Sequence, residues 1–101
     1  MSSIKINQEN LKSLIENNES VLLDFYADWC CPCRMVGPIV EEIAVENPDI
    51  AVGKINVDEE GELAAEYGVF SIPTLVVIKD GEVVSRSVGA KPKEQILALI
   101  K

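Results

Sequence analysis

Apolar positions along this chain keep two rhythms, one of strands and one of helices. "SIKI", residues 3–6, has a strand's short apolar content and leads into Asn7, a good helix N-cap. Leu11, Leu14 and Ile15 then recur at helical spacing. "SVLLDFYA" is continuously apolar apart from Asp24, the pattern of a strand covered on both faces. Val36, Ile39, Val40 and Ile43 return to helical spacing, with Pro38 inside the run, so a kinked helix is expected there. "IAVGKINV" reads as another strand, and "DEEGELAAEYG" as a short helix closed by Gly68. "TLVVIKDGEVVSRSV" places two β runs around Asp80-Gly81, a strong hairpin signal. "KPKEQILALIK" closes the chain as a helix with Pro92 near its first turn.

The resulting order is βαβαβαββα, an α/β pattern. Right-handed crossovers make the first strands parallel, and the hairpin adds two antiparallel ones. The expectation is a mixed five-stranded sheet with helices on both faces. At 101 residues, the chain 1–101 is read as a single domain. An open α/β sheet places its site where a strand's carboxyl end feeds a helix N-terminus. Here that junction is "FYADWCCPCRMVG", residues 25–37.

Composition narrows the chemistry. The chain is 48% apolar and 26% charged, as in globular proteins. Its net charge is −8, and its lysines and arginines are scattered singly, which argues against nucleic-acid binding. No apolar run approaches the roughly 20 residues that cross a bilayer, so no membrane association is expected. The start lacks an apolar leader with a small-residue cleavage site, so the chain is expected in the cytoplasm. Paired cysteines in that compartment are more often catalytic than structural. There is no histidine, which removes Ser/His and Cys/His nucleophile pairs and halves the options for zinc.

The only cysteines are Cys30, Cys31 and Cys33. Residues three apart on a helix share a face, about 5–6 Å apart, within the separation a disulfide spans. Cys30 and Cys33 therefore form the working pair. Adjacent cysteines would make a strained bridge, and Cys31 and Cys33 point to different sides. Cys30 falls at a helix N-terminus, where unpaired N–H groups and the helix dipole favour a thiolate. It is thus the expected nucleophile, and Cys33, one turn in and less exposed, the resolving thiol. Asp24 costs several kcal/mol in an apolar strand unless it is paired or protonated. It is read either as the partner of Lys54 in an ion pair or as a buried carboxyl that takes a proton from Cys33.

"DFYADWCCPCRM", "VGKINVD", "YGVFSIPTLVVIKDGE" and "VGAKPKEQ" resemble the thioredoxin family over nearly the whole chain. The resemblance implies a dithiol–disulfide oxidoreductase that reduces protein disulfides and is itself reduced by a thioredoxin reductase. A monomer acting on disulfide-containing target proteins, with no cofactor and no metal, is implied as well. By the same resemblance, Asp24 and Lys54 match the family's buried acid and lysine. Pro73, after Ile72, matches its cis-proline loop, which faces the cysteines and receives the substrate backbone. Trp29 becomes an apolar shoulder for targets, and Gly89 and Ala90 match small residues beside the site. Pro32 fixes the first helical turn. The "DEEGE" cluster is read simply as solvated helix surface.

One residue departs from the family pattern: Cys31 stands where the family carries Gly. It either occupies an exposed, permissive position or acts as a spare redox thiol that trades partners. A third reading is an iron–sulfur or metal-binding module using Cys31 in a dimer, although three thiolates without histidine fall short of four ligands. A disulfide-forming oxidant and a non-catalytic scaffold on the same fold are further alternatives.

Overall fold

The computed structural model describes residues 3–101. Strand β1 (Ile4–Lys5) leads to α1 (Gln8–Asn17), then β2 (Ser20–Tyr26), α2 (Cys31–Glu46), β3 (Ala51–Asn56) and α3 (Gly61–Glu66). The hairpin β4 (Thr74–Lys79) and β5 (Glu82–Val88) and the final helix α4 (Lys93–Ile100) complete the chain. This is the order read from the sequence. The first strand is two residues rather than four, although Ile6 N–H still donates to the Lys54 carbonyl at 2.9 Å.

The five strands lie in the order β1-β3-β2-β4-β5. β3 runs parallel to both β1 and β2, whereas β4 runs antiparallel to both β2 and β5. The site strand β2 is therefore central. Along it, alternate side chains enter two cores. Val21, Leu23 and Phe25 pack with Leu11, Leu14 and Leu63 from α1 and α3. Leu22 packs with Val36, Val40 and Ile43 of α2 and Ile96 of α4. Full burial of a side chain such as Phe25 contributes about 1.5–3 kcal/mol. With both faces covered, β2 holds its register firmly, because a one-residue slip would exchange the two cores. Asp24 thereby takes a fixed place on the α2 face.

Local signals act as the sequence predicts. The Asn7 side chain accepts from Glu9 N–H and Asn10 N–H, and Asn10 Oδ1 accepts from Asn7 N–H at 2.8 Å, a reciprocal capping box. Asp80 and Gly81 both adopt positive φ, 52° and 82°, the conformation of a two-residue hairpin turn. The α3 segment starts later than expected. Residues 57–59 form a turn in which Asn56 Oδ1 accepts from Asp58 N–H, so the helix begins only at Gly61. Pro38 does not divide α2, which runs as one helix of 16 residues through it.

A candidate redox site at the amino end of α2

The junction between β2 and α2 fixes the cysteines. Cys30 N–H donates to the Ala27 carbonyl at 3.2 Å, and Cys30 itself is the N-cap of α2, with extended backbone. Its Sγ accepts the N–H of Cys33 at 3.2 Å. That donor is among those a helix start leaves unpaired, so a sulfur is seated where an N-cap oxygen usually lies. Cys30 and Cys33 are joined as a disulfide with a Cα–Cα distance of 5.2 Å. The pairing read from helix geometry is the one observed. Pro32, at the second helical position, lacks only an N–H that would have no partner there.

Burial does not separate the two sulfurs as expected. Cys30 is 4% and Cys33 5% exposed, so Cys33 is not the more sheltered residue. Both lie in a small apolar cluster with Ala27, covered by Tyr26, Val57 and Ile72. The asymmetry lies in the hydrogen bonding: Cys30 Sγ receives a backbone donor and the amino end of a 16-residue helix. Cys31 lies outside the pair. It is exposed and free, at the first position of α2. With two of the three sulfurs joined to each other, the iron–sulfur or metal module finds no support. Among the described residues, no three His, Cys, Asp or Glu gather in metal-binding geometry.

Asp24 is 1% exposed, and neither carboxylate oxygen has a hydrogen-bond partner among the described residues. Burial raises its pKa from 3.8 to about 6, partly offset by the positive charge of Lys54. The ion pair read from the sequence is not formed. Lys54 lies directly across from Asp24 in the β2–β3 register, but its Nζ sits 4.7 Å from the centroid of the Tyr26 ring. Tyr26 is two residues along from Asp24 on the same face of the strand, so the ring draws the ammonium toward the strand's end. Beside it, an open groove of about 400 Å³ is bordered by Tyr26, Cys33, Gly37, Glu41 and Lys54, while Asp24 itself stays buried behind it.

Three loops meet at this end of the sheet. Ile72-Pro73 is a cis peptide bond, and Ile72 packs onto the cysteine cluster. Gly89, with φ of 92°, donates its N–H to the Pro73 carbonyl at 2.8 Å, which ties the β5–α4 loop to the proline loop. Trp29 is 66% exposed, and its indole N–H donates to Asp58 Oδ2 at 2.8 Å. Asp58 belongs to the stretch read as solvated surface and is exposed, and this acid also holds the Trp29 ring. Its role left no signal, because the two residues are 29 positions apart. Arg34 was also passed over. Its guanidinium donates to the Asp28 carbonyl through Nε and Nη2 at 3.2 and 2.8 Å, bracing the loop before Cys30.

Residues 2–101 match the sequence model of the family described as Thioredoxin. The chain belongs to the thioredoxin family. It is 50% identical over 95 residues to the thioredoxin of Chlamydia pneumoniae, covering 94% of this chain and 92% of that one. It is 48% identical over 102 residues to the thioredoxin of Bacillus subtilis strain 168, covering 99% and 96%. Among solved structures, a single-site mutant of the thioredoxin from Halobacterium salinarum superposes with a TM-score of 0.93 at 45% identity, over 98% of this chain and 88% of that one. Oxidised mitochondrial thioredoxin 3 of Saccharomyces cerevisiae gives 0.87 at 34% identity, over 96% and 92%. As a thioredoxin-family protein with a Cys30–Cys33 disulfide, it is a protein-disulfide oxidoreductase.

Proposed function

We propose that this protein works in the reducing direction, with Cys30 as nucleophile, Cys33 as resolving thiol and Asp24 as proton acceptor. The observation that carries this assignment is the Cys33 N–H donated to Cys30 Sγ at the helix start. A donor and a dipole aimed at that sulfur stabilise its thiolate over its thiol.

In the first step the Cys30 thiolate attacks one sulfur of a target disulfide. A Cys30–target bond forms, the target's S–S bond breaks, and the departing target sulfur leaves as a thiolate that takes a proton from water. Cys33 then loses its proton toward the buried Asp24 carboxylate, relayed by an intervening water. Its thiolate attacks Cys30 Sγ, the Cys30–target bond breaks, and the second target sulfur leaves as a thiolate that takes up the proton Asp24 had accepted. The target gains two electrons and two protons, and the protein gains the Cys30–Cys33 disulfide. A carboxyl with a pKa near 6 is mostly ionised at neutral pH, yet basic enough to accept the proton.

Trp29, Pro32, Ile72, Pro73 and Gly89 form the surface that seats the target, since they lie on the first turn of α2 and the three loops that meet at this end of the sheet. Lys54 assists by holding positive charge opposite Asp24. A dedicated thioredoxin reductase returns the pair to the dithiol. A structure neighbour concerned with the thiol resolving mechanism in yeast mitochondrial 1-Cys peroxiredoxin via glutathione/thioredoxin systems supports a place in such a relay. The cytoplasm is the proposed compartment, supported by the reducing chemistry and by the lack of any membrane-crossing helix among the described residues.

The test is dithiol-driven reduction of an insulin-like substrate, with the pair's potential measured against a glutathione buffer. A strongly oxidising potential without reductase activity would sink the reducing direction.

A further inference from the structure

Resting on the target-docking surface proposed above, we infer that Phe70 is a specificity-determining residue, selecting disulfide targets with an apolar side chain close to the attacked cysteine. Phe70 is 94% exposed, the most exposed large apolar side chain among the described residues. An isolated surface phenylalanine is common, but this one has a particular address. It lies two residues before Ile72, which packs directly onto the Cys30–Cys33 cluster. Two residues of chain span at most about 7 Å, so the Phe70 backbone cannot lie far from the disulfide's apolar cover. The following Pro73 carbonyl is held by Gly89 N–H, and Thr74 Oγ1 donates to the Ser71 carbonyl at 2.5 Å. The ring thus projects into solvent from a loop that is fastened immediately after it.

Trp29, the other exposed aromatic of this end, has a polar restraint in Asp58. Phe70 has no polar atom to satisfy and gains only by being covered with apolar surface. Val88 is 53% exposed and stands opposite Thr74 in the β4–β5 register, extending the apolar ground on the same end of the sheet. The occupant that fits is the side chain of a Leu, Ile, Val, Met or aromatic residue within about three positions of the target cysteine, a reach of about 10 Å. Covering a phenylalanine ring discriminates apolar from polar neighbours by roughly tenfold.

The experiment uses two disulfide-linked peptides that differ only in one residue beside the attacked cysteine, Leu in one and Ser in the other. The pre-reduced full chain is mixed with each, and the second-order rate constant for peptide reduction in a single turnover is read by chromatography after acid quench. Wild type is expected to favour the leucine peptide by about tenfold, Phe70→Leu to keep most of that ratio, and Phe70→Ser to bring it close to one. A preference that survives in Phe70→Ser overturns the inference, even where that variant is slower toward both peptides. Equal rates for both peptides in the wild type also overturn it. Reduction of neither peptide by the wild type sinks the proposed reductase function together with it, an outcome distinct from the other two.

Discussion

Asp24 and Lys54 occupy partnered positions on adjacent parallel strands, yet the ammonium rests on the Tyr26 ring and the carboxylate is buried without a hydrogen bond. The acid feels the lysine as a nearby charge rather than as a hydrogen-bonded partner. Desolvation therefore outweighs attraction, and the pKa rises to about 6.

That shift makes stability depend on pH in a defined direction. The folded protein holds the Asp24 proton more tightly than the unfolded chain, whose carboxyl titrates near 3.8. The stabilisation from this one group is therefore fully present below pH 3.8 and is lost as pH rises through about 6. The loss is about 3 kcal/mol at neutral pH. Asp24→Asn should remove it and raise the urea midpoint at pH 7, while changing little at pH 4. Parallel midpoint-versus-pH curves for the two proteins would show that Asp24 does not titrate as described.

The architecture was legible in the sequence because each element carries its own local signal. The N-cap at Asn7, the Asp80-Gly81 turn and the apolar run of β2, broken only by Asp24, all act over a few residues. The Cys30–Cys33 pairing was legible for the same reason, since helix geometry over one turn decides it. What escaped was set by side-chain placement between distant segments. The Asp58 contact to Trp29 joins a turn to a separate loop, and the Lys54 position is decided by a ring on another strand. The expected sheltering of Cys33 failed because Ile72 and Val57, brought in from other elements, cover both sulfurs alike.

The three cysteines should divide cleanly in function. Cys30→Ser and Cys33→Ser are expected to abolish disulfide reduction, whereas Cys31→Ser keeps most of it, since Cys31 is exposed and outside the bonded pair. Cys33→Ser should also accumulate a covalent Cys30–target adduct, visible by intact mass, because the first attack proceeds without a resolving thiol. Equal losses in all three variants, or an adduct formed through Cys31, would refute the division of roles.

Gly53 is a packing position with no tolerance for a side chain. A Cβ placed there would lie 2.6 Å from Ile6 Cγ1 and 3.2 Å from Leu23 Cδ2. Both neighbours are almost fully buried, so neither has free space to move into. Gly53→Ala is expected to destabilise the fold by about 1–3 kcal/mol, read as a lower urea midpoint. Gly61→Ala serves as the control, because a Cβ there meets nothing within 4 Å. Equal midpoints for the two variants would contradict the crowding between β1 and β3.

Asp24 should also govern how long a target stays attached. Before Cys33 can attack, its proton must leave, and Asp24 is the buried base on the α2 face of the sheet. In wild type, decay of the Cys30–target adduct should quicken as pH rises through about 6, following ionisation of that carboxyl. Asp24→Asn should lengthen the adduct's life by about 100-fold at pH 7, the lower end of general-base contributions, and flatten the profile near pH 6. The first attack on the target should change far less, because in the proposed mechanism the Cys30 nucleophile is served by the Cys33 N–H and the helix start, not by Asp24. Quenched-flow mass spectrometry separates adduct formation from decay. An Asp24→Asn variant that slows only formation would transfer the acid's role from the resolving step to the nucleophile.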